Sequence, residues 1–315
     1  MVKFVNQFIR KASKIRPEAR VGVIHPCSDY ALLGAIEVIK YKIGKPVLIG
    51  PLAKIKVLAV KLNLSLSGIE CIDVPHSHAA AETAVALVKN GKLDILMKGS
   101  LHTDELMHAV LDSKTGIRTD RRVTHCCVMD IPKYNSPLLV ADIAINVSPD
   151  LDTKKHITQN AIDLAKAIGI KNVKVAVLSA DEQVRSQIPS TIDAAALSKM
   201  GERNQITSAL IDGPLAFDVA ISAIATKIKH IDSDVAGHAN ILIVPTIEAG
   251  NILVKQLKYF ANALMPGVVI GAAVPIVLTS RADDGLTRAA SCALAILYAK
   301  WYRNFIGGKY EHFDN

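Results

Sequence analysis

Short runs of aliphatic and β-branched residues alternate with longer amphipathic runs along almost the whole chain, which leaves few architectures open. The runs at 20–25, 46–49, 69–74, 93–97, 125–130, 138–146, 173–178, 209–212, 241–244 and 276–278 read as buried strands. Helical periodicity falls between them, at 28–42, 78–90, 152–168, 191–200, 217–227 and 249–263, with a last helix over 284–303. Ser77 opens the alanine-rich helix, and Asp152 or Thr153 is placed to cap the next long one. Repeated strand–helix order implies α/β layers joined by right-handed crossovers. Hydrophobic residues make up 50% of the chain but aromatic ones only 4%, so Ala, Val, Ile and Leu must build the core. That bias fits parallel strands covered by helices on both faces. At 315 residues the chain is long for one core and comfortable for two. The polar turn IPKYNSP puts a domain join near 132–137, and the chain shows neither a Gly/Ser linker nor a short repeat.

Charge narrows the partners. The formal net charge is +8 and the isoelectric point about 9.1, which favours anionic ligands. The basic residues are scattered, and few aromatics lie among them to stack on bases, so a small polyanion fits better than nucleic acid. Cysteines at 27, 71, 126, 127 and 292 form no CxxC and no zinc spacing, and no metal site is expected. Cys71, Cys126, Cys127 and Cys292 sit in apolar runs, which points to buried thiols in a reducing cytoplasmic compartment. The first twenty residues form a basic amphipathic helix without the apolar centre of a signal peptide. The most hydrophobic stretch, 261–279, is interrupted by Pro266, Gly267, Gly271 and Pro275, and reads as a loop and buried strands rather than a membrane span.

In open α/β sheets the turns after strand ends carry the chemistry. VPIVLTSRADDGLTRAAS (274–291) follows a buried strand with Ser280, Arg281, Asp283 and Asp284, then a helix. Ser280 and the first helical N–H groups make an anion seat, and Arg281 offers a planar bidentate fork. Asp283 and Asp284 accept protons or cap the helix. VPTIEAGNILVKQL (244–257) puts Gly250 and Asn251 at a second strand–helix junction, beside Glu248, where glycine permits close approach and Asn251 either binds or caps. LMKGSLHTDELMHAV (96–110) sets Lys98 and Ser100 after a strand, without the spacing of a Walker A loop. Arg118, Arg121 and Arg122 precede a further strand and are candidates for cofactor phosphates or a solvated turn. Neither G-x-G-x-x-G nor G-x-S-x-G occurs, which argues against a standard dinucleotide dehydrogenase and a serine hydrolase.

Together, DGPLAFDVAI (212–221), DVAGHANILIVPTIEAGNILVKQL (234–257) and VPIVLTSRAD (274–283) resemble the phosphate acetyl/butyryltransferase family. MKGSLHTDELMHAVL (97–111) and QNAIDLAKAIGI (159–170) extend the resemblance over nearly the whole chain. It is nearest the phosphotransacetylase half of bifunctional enoyl-CoA hydratase/phosphate acetyltransferase proteins, without room for the hydratase half. The resemblance implies two three-layer α/β domains of the isocitrate/isopropylmalate-dehydrogenase-like type, with the active site in the interdomain cleft. It also implies that the last helix returns to the first domain, giving a discontinuous domain of 1–137 plus 271–315 and a second of 138–270. The implied reaction is acyl-CoA plus phosphate giving acyl phosphate plus CoA, with acetyl as the acyl group and butyryl as the alternative. Coenzyme A is then a co-substrate, no cofactor is tightly bound, and a homodimer or larger homo-oligomer is expected.

By the same resemblance Ser280 and Arg281 match the family's Ser-Arg pair at the phosphate and reacting carbonyl, and Gly250–Asn251 its Gly-Asn. Simpler phosphotransacetylases carry an aspartate base six places after that arginine, where this chain has Thr287. Its Ser-Arg-Ala-Asp form is nearer the butyryltransferase branch, and Asp283 is chosen as proton acceptor by proximity. Lys98, Ser100, Arg118 and Arg121 complete the expected substrate contacts. Two rivals stand beside this reading: a metal- and nicotinamide-dependent decarboxylating dehydrogenase, and a non-catalytic acyl-CoA or phosphate-binding protein.

Overall fold

A computed structural model describes residues 3–278 and 283–305 of the chain. The element order opens α1 (Val5–Ala12), β1 (Arg20–Ile24), α2 (Asp29–Lys40), β2 (Lys45–Gly50), α3 (Leu52–Lys61), β3 (Glu70–Asp73), α4 (Ser77–Lys89), β4 (Ile95–Lys98) and α5 (Thr103–Leu111). It continues with β5 (Thr124–Met129), β6 (Leu138–Ala141), α6 (Leu151–Ile168), β7 (Lys174–Leu178), α7 (Pro189–Glu202), β8 (Leu210–Leu215), α8 (Phe217–Ile221) and α9 (Ala223–Ile228). The last elements are β9 (Ile241–Ile243), α10 (Ile247–Phe260), β10 (Gly267–Ile270), β11 (Ile276–Val277) and α11 (Gly285–Phe305).

These elements gather into two compact units. The first runs from Val5 to Arg121 and resumes at Pro266, so α11 belongs to it. Its strands lie in the order β3-β2-β1-β4-β11-β10, parallel except for the β10–β11 pair. Their side chains, among them Ile24, Leu48, Ile49, Leu96 and Met97, are fully or almost fully buried, as strands covered on both faces require. The alanine-rich α11 is buried from Thr287 to Ala299 and packs on α1 and α2, because small side chains let helices approach closely. The second unit spans Arg122–Met265 and includes the residues up to Phe4, whose N–H donates to the Asp130 carboxylate at 2.7 Å. Its strand order is β5-β6-β9-β7-β8, with β5–β6 antiparallel and the rest parallel.

Local chemistry moves several boundaries from their sequence-based places. The turn at 132–137, read as a domain join, links the antiparallel strands β5 and β6 inside the second unit, where Met129 pairs with Leu138. The units divide instead between Arg121 and Arg122 and between Met265 and Pro266. The strand expected over 138–146 ends at Ala141, because the Asp142 carboxylate accepts the Ala144 and Ile145 N–H groups and folds the chain back. The helix expected over 217–227 is two helices, broken at Ser222, whose hydroxyl caps the second by accepting from Ala225 N–H. His76, not Ser77, caps α4 through its ring nitrogen, and Asp150 rather than Asp152 or Thr153 caps α6 at 2.8 Å. Helix α3 escapes the periodicity because Val57 and Val60 put apolar side chains on its solvent face, 72% and 77% exposed.

Cys126, Cys127 and Cys292 are buried, and Cys27 and Cys71 are half-buried. Burial pushes the Cys292 thiol up to about 12, raises Cys126 well above the usual thiol range, and raises Cys27 and Cys71 as well. Only the thiolate reacts quickly. Treating the native protein with a disulfide reagent at pH 7.5 is therefore expected to modify Cys27 and Cys71 slowly and the remaining thiols only after denaturation. Four or five fast-reacting native thiols would contradict this arrangement.

Candidate active site

In the first unit β1, β4 and β11 lie side by side and parallel, with Ile24 level with Lys98 and Met97 level with Val277. The turns that follow β1 and β4 therefore leave from the same edge. They interlock through the backbone: Gly99 N–H donates to the Ile24 carbonyl and Ser100 N–H to the His25 carbonyl, both at 2.9 Å. A Cβ at residue 99 would stand 2.3 Å from the Ile24 oxygen, so this approach requires glycine. His25 adopts a left-handed φ of 51°, which turns the chain toward Ser100, and its ring Nδ1 lies 3.0 Å from the Ser100 carbonyl.

The side chains of these turns line a cavity of about 270 Å³ bounded by Ser28, Tyr30, Lys98, Ser100, Leu101, His102 and Thr103. Ser100 Oγ donates to Ser28 Oγ at 2.6 Å. Lys98 Nζ donates to the Leu101 carbonyl at 2.8 Å and the Gly99 carbonyl at 3.3 Å, which fixes the ammonium at the cavity wall. Ser28 and His102 are the N-cap residues of α2 and α5, and neither caps its helix with its side chain. Two helix N-termini, an ammonium and a hydroxyl pair thus border one small cavity, a donor-rich and electropositive environment suited to an anion.

Ser280 and Arg281, which follow β11 in the sequence, lie outside the described residues. Beyond them, the Asp283 carbonyl accepts a hydrogen bond from Arg288 Nη1 at 2.5 Å. Asp284 Oδ1 accepts the Thr287 N–H at 2.7 Å and so caps α11, the second of the two roles open to the aspartates. Thr287 itself is buried inside α11. Arg288 is also buried, and its fork grips both Glu37 oxygens, Nε to Oε2 at 2.9 Å and Nη2 to Oε1 at 2.8 Å. Arg118 is exposed and bridges to Ala272, while the Arg121 N–H donates to Thr119 Oγ1, itself bonded to the Gly271 carbonyl. Both arginines thus sit on the last stretch of the first unit before the chain leaves it.

Gly250 and Asn251 belong to the second unit, where β6 and β9 run parallel with Ala141 level with Ile243. The helix begins earlier than the sequence suggests. Thr246 is the N-cap of α10 and accepts from Ala249 N–H, so Asn251 lies a turn inside the helix and is not its cap. Its amide Nδ2 donates to the Ile143 carbonyl at 3.4 Å. Gly250 presses against the Asp142 carbonyl, which a Cβ would meet at 2.9 Å. The buried Asp142 carboxylate in turn holds the loop after β6, accepting the Asn146 amide at 2.6 Å as well as backbone N–H groups. Sequence reasoning misses His25, Ser28 and Tyr30, although the polar HPCS turn after the first strand satisfies the same rule that singles out Lys98. It also misses Glu37 and Arg288, 251 positions apart, which no local pattern connects.

Among the described residues, no group of three or more His, Cys, Asp or Glu side chains could hold a metal ion, and no helix is long and apolar enough to cross a membrane.

Comparison with known proteins identifies the family. The family model described as "Phosphate acetyl/butaryl transferase" matches residues 78–296. The chain belongs to this family of acyltransferases. It is 54% identical over 288 residues to "Phosphate acetyltransferase" of Rhizobium meliloti, covering 91% of both chains. It is 38% identical to "Phosphate butyryltransferase" of Clostridium acetobutylicum, over 95% of this chain and 99% of that one. Among solved structures, a branched-chain phosphotransacylase from Enterococcus faecalis V583 superposes with a TM-score of 0.77 at 28% identity, covering 89% of this chain and 99% of the other.

Proposed function

We propose that this chain transfers an acyl group between coenzyme A and inorganic phosphate, acyl-CoA plus phosphate giving acyl phosphate plus CoA, with acetyl as the acyl group. The observation that carries the choice of acetyl is the 54% identity to a phosphate acetyltransferase, against 38% to a phosphate butyryltransferase. In the forward direction a phosphate oxygen attacks the thioester carbonyl carbon, negative charge collects on the carbonyl oxygen, and the C–S bond breaks as the sulfur leaves. The phosphate proton passes to a carboxylate, assigned to Asp283, or to the departing sulfur. No protein nucleophile is needed, in keeping with cysteines whose thiols are held above their ordinary range.

Ser280 and Arg281 are assigned to the phosphate and the reacting carbonyl. Lys98 and Ser100 are assigned to an anionic part of the substrates, supported by the cavity where two uncapped helix N-termini meet the Lys98 ammonium. Arg118 and Arg121 are assigned to cofactor phosphates, and Gly250 and Asn251 to substrate contact from the second unit. Coenzyme A enters as co-substrate. A homodimer is the proposed assembly, supported by exposed apolar side chains on α9 and α10: Ile224, Ile228, Ile252, Tyr259 and Phe260.

The test is phosphate-dependent CoA release measured across acetyl-, propionyl- and butyryl-CoA, with acyl phosphate trapped as the hydroxamate. Acetyl-CoA is expected to give the highest kcat/KM. Preference for butyryl-CoA would move the chain to the longer-acyl branch, and binding without turnover would sink the enzymatic reading.

A further inference from the structure

Glu37 and Arg288 form an almost fully sequestered ion pair, with side chains 14% and 9% exposed, between α2 and α11. The pairing engages all three guanidinium nitrogens. Nε and Nη2 bind the two Glu37 oxygens, and Nη1 binds the Asp283 carbonyl. Space around the pair is equally committed, since a Cβ on Gly285 would lie 2.3 Å from Glu37 Oε1. A buried ion pair is weak evidence for stability, because well-packed apolar side chains of similar volume serve as well. What an apolar pair cannot supply is the donor to the Asp283 carbonyl. The same contact ties the start of α11 to α2, the helix that begins at Ser28 on the wall of the 270 Å³ cavity.

We propose that Glu37 and Arg288 are positioning residues for acyl transfer, the Arg288 fork locking the Asp283 carbonyl and the first turn of α11 onto α2. This role rests on the functional reading above, in which Asp283 and the residues just before it form the reaction centre. Neither Glu37 nor Arg288 touches the reacting atoms. The pair sets where the Asp283 carbonyl and the first turn of α11 stand, and a displacement of about 1 Å in a group that positions the reaction costs roughly 100-fold in rate.

Three variants test the role. Glu37→Gln keeps the shape and removes the charge, Arg288→Lys keeps the charge and removes the fork, and Gly285→Ala pushes the Glu37 carboxylate aside with both charges intact. Each is assayed for kcat, for KM of phosphate and of acetyl-CoA, for CoA affinity by calorimetry, and for thermal midpoint. All three are expected to lower kcat by roughly 30–100-fold while CoA affinity changes by less than about threefold. Ser291→Ala serves as the stability control, because Ser291 donates to the Thr287 carbonyl and accepts from Gly267 N–H deep in the same helix. It is expected to lower the thermal midpoint and keep kcat. Wild-type kcat in folded Glu37→Gln and Arg288→Lys proteins overturns the positioning role and leaves the functional reading intact. Equal loss of kcat in Ser291→Ala at a matched thermal midpoint also overturns it. Absence of turnover in the unmutated protein overturns the functional reading, and this role with it.

Discussion

Arg281→Ala is expected to lower phosphate-dependent CoA release, and the reverse acylation of CoA, by about 10²–10³-fold. In either direction the transition state places negative charge on the carbonyl oxygen beside a phosphate that already carries charge. A guanidinium can address both groups at once with its planar set of N–H donors, which a single hydroxyl cannot. Loss of one well-aimed donor to such charge is worth roughly 3–4 kcal/mol. Arg281→Lys separates charge from geometry: a point charge survives but the bidentate contact does not, and an intermediate loss is expected. The measurement is kcat/KM for phosphate in one direction and for acetyl phosphate in the other, with thermal midpoints as a check on folding. Turnover of Arg281→Ala within about tenfold of the unmutated enzyme would remove Arg281 from the reaction centre.

Gly99→Ala is expected to damage both stability and activity. The atoms an added Cβ would meet are backbone: the Ile24 oxygen at 2.3 Å, the His25 oxygen at 2.6 Å and the His25 carbonyl carbon at 2.9 Å. None can rotate away. The methyl group must push the ends of β1 and β4 apart, stretching the Gly99–Ile24 and Ser100–His25 hydrogen bonds that hold the two turns together. Overpacking of this kind costs roughly 3 kcal/mol, or about 4–5 °C in thermal midpoint for a chain of this length. Lys98 and Ser100 move with the backbone, so KM for phosphate or acyl-CoA is expected to rise as well. Gly91→Ala provides the contrast. Gly91 has a φ of +66°, and an added methyl group would meet nothing within 4 Å, so the change costs only the backbone penalty of about 1 kcal/mol and leaves KM unaltered. Equal thermal midpoints for the two variants would show that the close approach at Gly99 is not rigid.

The fold is legible in the sequence wherever burial on both faces imposes its own pattern. Short apolar runs such as VGVI and VLI suit strands covered on both faces, and β1 and β2 form where those runs lie. Legibility fails where a single side chain redirects the backbone. Nothing in the apolar run at 138–146 announces that the Asp142 carboxylate will collect N–H groups and end the strand at Ala141. Helix caps escape for a related reason, since His76 and Asp150 compete with neighbours of equal or better intrinsic propensity and geometry decides between them. At the candidate site, Lys98 and Ser100 can be read from their place after a strand. Glu37 and Arg288 cannot, because their meeting depends on α11 packing against α2. Asn251 illustrates the opposite error: its side chain has cap chemistry and its place suggests a helix start, yet Thr246 begins the helix.

The first unit is built from two stretches of chain with the whole second unit between them. On the ribosome this becomes a matter of timing. Strands β1 to β4 emerge first, but β11, which pairs with β4, and α11, which covers α1 and α2, are translated only after Met265. At about 5–20 residues per second the wait from the end of β4 to the end of β11 is roughly 9–36 s. Throughout that interval β4 keeps an unpaired edge, the feature that invites strand addition from other chains. The second unit, apart from the short N-terminal segment ending at Phe4, is one continuous stretch translated in that interval. A nascent chain stalled before Pro266 therefore lacks the strand that pairs with β4 and the helix that covers α1 and α2, and that open edge is what a holdase chaperone would be selected to cover.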